Sequence, residues 1–283
     1  MKRCGLLLAA FALLLVGCGD TGPPARPALW EVTGPDGSRA YLFGTIHAFD
    51  QTVKWRSDAF KQAFADADTL VVEAAGITDP KASAQIWQRL ATSNGLPPLT
   101  QRVPAKDAPA LRAALKKAGL DENSFAKTES WAAALTLASA LRQEDGEGID
   151  LALLRDAKGK RVVELEGVAG QLTIFDRLPE EDQAALLVSV TENDPETEAR
   201  LARLWREGDI EAIAAETHKG MLADPELREA LLLARNRAWE ARIASMLQAG
   251  TRPFVAVGAA HLAGPDGLPA MLAEQGYEVR RVQ

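Results

Sequence analysis

The chain has 283 residues, 47% of them hydrophobic and 25% charged, which excludes a disordered, collagen-like or disulfide-built protein. Its net charge of -7 and pI near 5.2 argue against a nucleic-acid partner, which needs a basic stripe. The length suits one large domain with a sizeable core, or two small ones.

Lys2 and Arg3 precede an apolar run from Gly5 to Val16 that is too short to span a bilayer. The run closes on Leu15-Val16-Gly17-Cys18, which resembles a bacterial lipobox with cleavage before Cys18 and lipidation of that cysteine. The expected layout is a signal peptide over 1–17, a lipidated Cys18 with a flexible tether over 18–27, and one domain over 28–283. The location that follows is the bacterial cell envelope, with a lipid anchor in a membrane and the domain facing the periplasm. Gly19 and Asp20 lean toward the outer membrane. Both cysteines of the chain, Cys4 and Cys18, fall in this segment, so the domain has no cysteine chemistry.

Leu29 to Thr33 and Arg39 to Phe43 read as a hairpin turned by Gly34-Pro35-Asp36-Gly37. Ser57 can cap a helix with Phe60, Ala63, Phe64 and Ala67 on one face, and Thr69 to Ala74 is a short apolar strand. Strand, helix, strand suggests a βαβ unit in a parallel or mixed sheet. Residues 80 to 157 are mostly helical, Arg161 to Glu166 returns to strand, and 179 to 249 is helical again. Phe254 to Val257 is a core strand, Leu268 to Gln275 a helix and Tyr277 to Val282 a last strand. The fold class expected is α/β: a mixed central sheet flanked by helices with a largely helical middle.

Three histidines occur, and two share one context. Tyr41-Leu42-Phe43-Gly44-Thr45-Ile46-His47 parallels Val255-Ala256-Val257-Gly258-Ala259-Ala260-His261, each an apolar strand followed by Gly-x-x-His. Ligands of open α/β sheets gather beyond the carboxyl ends of strands. A glycine there allows a sharp turn, which sends the histidine to the rim. Glu73 ends the apolar run Leu70-Val71-Val72, where a carboxylate is costly unless paired or bound to a cation. His47, His261 and Glu73 make a plausible set of ligands for Zn, Mn, Fe or Co, and a metal-bound water could attack a carbonyl. The alternative is two loop histidines with ordinary hydrogen bonds. His218 sits late in a helix and is read as a favourable charge at its C-terminus.

Asn236 shares a helix stripe with Leu232, Trp239 and Ile243 over 225 to 248, and an inward amide needs partners. Arg235 lies one step around. Together they either serve the core and surface or stand at the cleft, holding a substrate carbonyl or Glu73. Asp150 is either a helix cap or a support for the site, and Glu166 either a solvated strand end or a second such acid. No Gly-x-Ser-x-Gly elbow, P-loop, Gly-x-Gly-x-x-Gly or His-Glu-x-x-His is present.

With these residues in place, the chain resembles the TraB/PrgY/GumN family, related to the TIKI proteases, from about Leu29 to Val282. The resemblance rests on Tyr41 to His47, Leu70 to Glu73, Gly148 to Leu154 and Val163 to Glu166. It continues through Gln171, Phe175-Asp176, Ala234 to Trp239, Val257 to Leu262 and Gly276 to Val279. It implies a fold of two βαβ-like halves, each carrying a Gly-x-x-His motif, related to those of erythromycin esterase and ChaN-like haem-binding proteins. The implied site holds the two Gly-x-x-His motifs, Glu73, and the pair Arg235 and Asn236. The implied chemistry is metal-dependent peptide cleavage with Mn or Co favoured and Zn or Fe possible. Where many relatives carry an acid shortly after the glutamate, this chain has Ala74, Ala75 and Gly76. The expected activity is a metallohydrolase acting on a peptide or protein, with Glu73 as ligand or base and Arg235 and Asn236 stabilising the oxyanion. The alternative is a non-catalytic envelope lipoprotein that binds a metal, haem or peptide in the same cleft.

Overall fold

The structure, a computed structural model, describes residues 24–46, 53–142, 148–192 and 195–283. The expected signal peptide, Cys18 and His47 lie outside the described residues. Strands β1 (Leu29–Thr33) and β2 (Arg39–Thr45) form the expected hairpin, with Gly37 at φ +81° in its turn. Helix α1 (Asp58–Asp66) starts at Ser57, whose Oγ accepts the Phe60 N–H at 3.0 Å, and leads to β3 (Thr69–Val72). Helices α2 (Pro80–Leu90), α3 (Ala108–Lys117), α4 (Ser130–Leu141) and α5 (Ile149–Asp156) precede β4 (Arg161–Glu164). Then come α6 (Gly167–Asp176), α7 (Glu180–Thr191), α8 (Pro195–Glu207), α9 (Ile210–Glu216), α10 (Pro225–Arg228) and α11 (Ala234–Gln248). Strand β5 (Pro253–Gly258), α12 (Leu268–Glu274) and β6 (Glu278–Arg281) close the chain.

The six strands form one mixed sheet in the order β4-β3-β5-β2-β1-β6. Strands β4, β3, β5 and β2 are mutually parallel, while β1 runs antiparallel to both its neighbours. Buried on both faces, β2 and β5 read as near-continuous apolar runs, as central parallel strands must. One face packs on α1 and α5 through an aromatic cluster. Phe60 stands 5.1 Å from Phe43, 4.9 Å from Trp55 and 5.4 Å from Phe254, centroid to centroid. Burying such a ring is worth about 1.5–3 kcal/mol. The other face packs Leu42, Val71, Val255 and Val257 against Trp239 and Ile243 of α11 and Leu268 and Leu272 of α12. A separate core around Trp131, Leu111 and Leu186 unites the helical middle.

Two features depart from expectation. Packing begins three residues earlier than the expected domain start. Ala25 is buried and donates its N–H to the Lys54 carbonyl at 2.7 Å, and the Arg26 N–H reaches the Arg206 carbonyl at 2.7 Å. Residues 25–27 therefore belong to the domain rather than to a flexible tether. Their docking depends on Gly208, at φ +67°, where a Cβ would come within 2.3 Å of the Arg26 carbonyl oxygen. Gly208→Ala should cost about 1–3 kcal/mol, read as a lowered Tm with faster proteolysis near residue 25. An unchanged melt would show that the Arg26 strand is not held there.

The second departure is that the helix expected over 225 to 248 is interrupted by a π turn at Glu229–Leu233. Its Leu231 carbonyl accepts a bond from Arg235 Nη1 at 3.1 Å. Apolar spacing does not announce such a turn, and π bulges are frequent at functional sites.

One buried group in α11 is at odds with its surroundings. Glu240 is 7% exposed, its Oε1 has no hydrogen-bond partner among the described residues, and burial pushes its carboxyl above the ordinary range. A raised folded-state value favours the fold below the unfolded pKa of about 4.3 and loses that advantage as pH rises through the folded value. Glu240→Gln should therefore raise stability at pH 7 by about 1 kcal/mol and change it little at pH 4. Melts of both proteins at the two pH values test this; equal gains at both would remove ionisation as the cause.

Candidate functional site

Beyond the carboxyl ends of β3 and β5, four side chains meet. Glu73 follows β3 directly, and its backbone is fixed by the next strand: its carbonyl accepts the N–H groups of Glu166 and Gly167, each at 3.0 Å. Glu164 holds the turn after it, taking the Ala75 and Gly76 N–H groups at 2.5 and 2.9 Å. The Glu73 carboxylate is 7% exposed and well served. Oε1 accepts the Gly258 N–H at 2.8 Å, and Oε2 accepts Gln171 Nε2 at 2.9 Å and Arg235 Nη2 at 2.6 Å. This is the pairing that a carboxylate at the end of an apolar strand requires.

Arg235 is the hub. It forms a two-point pair with Glu166, Nε to Oε1 and Nη2 to Oε2 both at 2.9 Å, while Nη2 also reaches Glu73. Its guanidinium lies 4.5 Å above the Trp239 ring. Burial alone would lower its pKa. The hydrogen bond to Glu166 and the charges of Glu73 and Glu166 outweigh that and hold it above the ordinary arginine value. Among the described residues, two carboxylates thus share one guanidinium.

His261 lies in the 3-10 turn Ala259–Leu262 that follows β5 and is buried, with its ring 4.3 Å from that of Trp239. It does not stand clear on the rim as the motif suggested. Asn236 sets its tautomer. The amide Nδ2 donates to the Asp266 carbonyl at 2.7 Å, so Oδ1 is the atom facing His261 Nδ1 at 2.6 Å and must accept. That assigns the proton to Nδ1 and leaves Nε2 with a lone pair, which meets Arg235 Nη1 at 3.2 Å. Both ends of the Asn236 amide are committed. In these contacts Asn236 positions His261.

Asp150 sits in the first turn of α5, where the N-cap is Gly148, and accepts Thr45 Oγ1 at 2.9 Å. It thus supports the end of β2 beside the site. His218 is exposed just beyond α9. The chain turns directly after Gly258, but neither that glycine nor Gly44 takes a positive φ. Gly44 instead permits close approach, since a Cβ there would lie 3.1 Å from the Ala259 Cβ.

A cavity of about 260 Å³ opens over Glu73, Arg235 and His261, with Thr45 at its edge. Two contributors were given no role from sequence, though both lie in stretches that carry the resemblance. Gln171 is a lone amide in the apolar helix α6, a pattern that asks for a buried partner. Thr45 is a buried hydroxyl at a strand end, with no spacing signal to mark it.

A divalent metal is implied by the family resemblance, and the described donor set meets part of its needs. His261 is held in a tautomer that leaves Nε2 free of a proton, as a ligating histidine with a fixed second nitrogen must be, and the Glu73 carboxylate shares the cavity. Among the described residues, no group of three or more His, Cys, Asp or Glu side chains could hold a metal ion. Both atoms also accept from Arg235, so a cation would have to share or displace those contacts.

These features define an α/β protein with a buried acid–arginine–histidine cluster at the carboxyl ends of central parallel strands. The chain belongs to the TraB/PrgY/gumN family, whose model matches residues 28–281. It is 28% identical over 254 residues to uncharacterized proteins YbaP of Shigella flexneri and of Escherichia coli K12, covering 87% of this chain and 92% of each relative. No solved structure matches the chain.

Proposed function

We propose that the chain is a metal-dependent hydrolase of the bacterial cell envelope, a peptidase, anchored by lipid at Cys18 and facing the periplasm. The observation that carries it is His261, presenting an unprotonated Nε2 beside the Glu73 carboxylate in one cavity. His47 is the proposed further ligand, on the parallel of its motif with that of His261. A metal bound there supplies an activated water and a Lewis acid for the scissile carbonyl. Manganese or cobalt is favoured by the resemblance to the TIKI proteases, and zinc or iron has the same ligand chemistry.

The residues around it have separable tasks. Asn236 orients His261, Glu166 orients Arg235, and Gln171 and the Gly258 N–H hold Glu73 in place. Glu73 is a ligand or the base that takes a proton from the attacking water. Arg235 now spends its N–H groups on Glu73, Glu166, the Leu231 carbonyl and His261, so it would serve a developing oxyanion by giving up one of them, the 3.2 Å contact with His261 being the longest. A haem in this cleft is disfavoured by size. The cavity of about 260 Å³ lies below the ~300–1,000 Å³ that encloses a drug-sized ligand. Among the described residues no helix is long and apolar enough to cross a membrane, so in this reading lipid is the anchor.

The test is a count of bound metal after loading with Mn²⁺, Co²⁺ or Zn²⁺, beside His47→Ala and His261→Ala. About one ion per chain should be lost in both variants while the fold persists. Asn236→Leu should bind about 10–100-fold more weakly, because His261 loses the partner that fixes its tautomer. No bound metal under any condition, in a folded protein, would sink the hydrolase reading.

A further inference from the structure

The cavity over Glu73 has a polar floor and apolar walls. Its floor groups are tied to one another, as described above. Its walls are Ile46, Leu201 and Trp205 of α8, Ile213 of α9, and Ala259 and Ala260 of the turn carrying His261. Trp205 offers no donor to this space. Its Nε1–H points inward to the Gly44 carbonyl at 2.8 Å. A charged side chain entering here would lose water and gain no partner from the walls, a cost of about 1–3 kcal/mol for an uncharged polar group and more for an ion. At about 260 Å³ the space suits a single side chain rather than a whole ligand.

We infer that this cavity is a side-chain pocket that selects an apolar residue of a peptide substrate, with Leu201 setting the choice. The inference rests on the peptide-hydrolase reading and names the class of peptide that the site prefers. Leu201 is the adjustable wall because it is only half-buried on α8. Ile213 is fixed, 4% exposed and packed in a small core with Leu204 and Ala263. Hydrophobic pockets discriminate by about 10–200-fold for each methylene-sized change, and since leucine exceeds alanine by more than one such group, a factor in that range is the least expected between them.

The experiment separates this from the hydrolase reading by measuring binding without turnover. Saturation-transfer NMR of the purified protein would use N-acetyl-leucinamide, N-acetyl-alaninamide, N-acetyl-aspartamide and N-acetyl-lysinamide as probes, in EDTA and with Mn²⁺. Leucinamide should bind at least tenfold more tightly than either charged probe. Leu201→Trp should fill the pocket and abolish that preference with an unchanged circular dichroism spectrum. Leu201→Arg should move the preference to the aspartic probe. Equal binding of all four probes, or a leucine preference untouched by Leu201→Trp, would overturn the inference. A leucine preference in a protein that binds no metal would instead leave the pocket standing and remove the hydrolase.

Discussion

Arg235→Gln is expected to destabilise the metal-free protein by about 3–5 kcal/mol, the usual result of removing one partner from a buried charge cluster. The reason is in the contacts. One guanidinium serves Glu73 at 2.6 Å and Glu166 through two bonds of 2.9 Å, and the side chains of all three residues are 9–14% exposed. A glutamine cannot neutralise either carboxylate. Part of the loss should return when Mn²⁺ is added, because a divalent cation would replace the missing positive charge. Metal should also bind more tightly to the variant than to the parent, since Arg235 Nη1 no longer competes for the His261 Nε2 lone pair, now met at 3.2 Å. Paired melts in EDTA and in Mn²⁺, with a metal titration of each protein, read both effects. A variant that melts like the parent in EDTA would mean that the two carboxylates are separated or solvated without Arg235. Weaker metal binding would mean that Arg235 supports the metal site rather than shielding it.

Much of the fold was legible because burial leaves a period in the sequence. β2 and β5 are apolar throughout since helices cover both faces, and the β1–β2 turn is written in Gly34 to Gly37. Ser57 and the stripe of Phe60, Ala63 and Phe64 placed α1 to within a residue. The π turn at Glu229–Leu233 left no such trace, because a single inserted residue does not disturb an apolar count. The docking of Ala25 was hidden for a different reason. Its neighbours Pro23, Pro24 and Pro27 look like linker, and the backbone that receives it belongs to Lys54 and Arg206, distant in sequence.

The site was legible in its charged members and not in their arrangement. Glu73 stood out because a carboxylate at the end of Leu70-Val71-Val72 must be compensated. Arg235 and Asn236 stood out by helix position and resemblance, yet their roles separated only in three dimensions. Arg235 faces the carboxylates, and the Asn236 amide is spent on His261 and the Asp266 carbonyl. Which end of an amide faces a ring is a matter of partners far along the chain, and spacing cannot express it. Gln171 was marked by the resemblance alone, and its role stayed hidden for the same reason, its partner Glu73 lying on another element.

Glu73→Gln should lower turnover by about 10²–10⁴-fold, the range attributed to a positioned general base, and it should do so in a folded protein. Among the described residues, the carboxylate accepts from Gly258 N–H, Gln171 Nε2 and Arg235 Nη2. An amide of the same shape must turn its NH₂ toward at least one of them, at a cost of about 1–3 kcal/mol. A purely structural role therefore predicts activity loss in proportion to unfolding, and raising the stability with osmolyte would restore it. A role in chemistry predicts a loss that osmolyte does not repair, and metal content then divides its two forms. Retained metal with lost turnover would make Glu73 the base, since the ligands are intact and only proton transfer has gone. Metal lost together with turnover would make it a ligand, and Glu73→Asp, which keeps the charge, should recover part of the metal. Full activity in Glu73→Gln would exclude both roles and leave Glu73 as the counter-charge that holds Arg235 against His261.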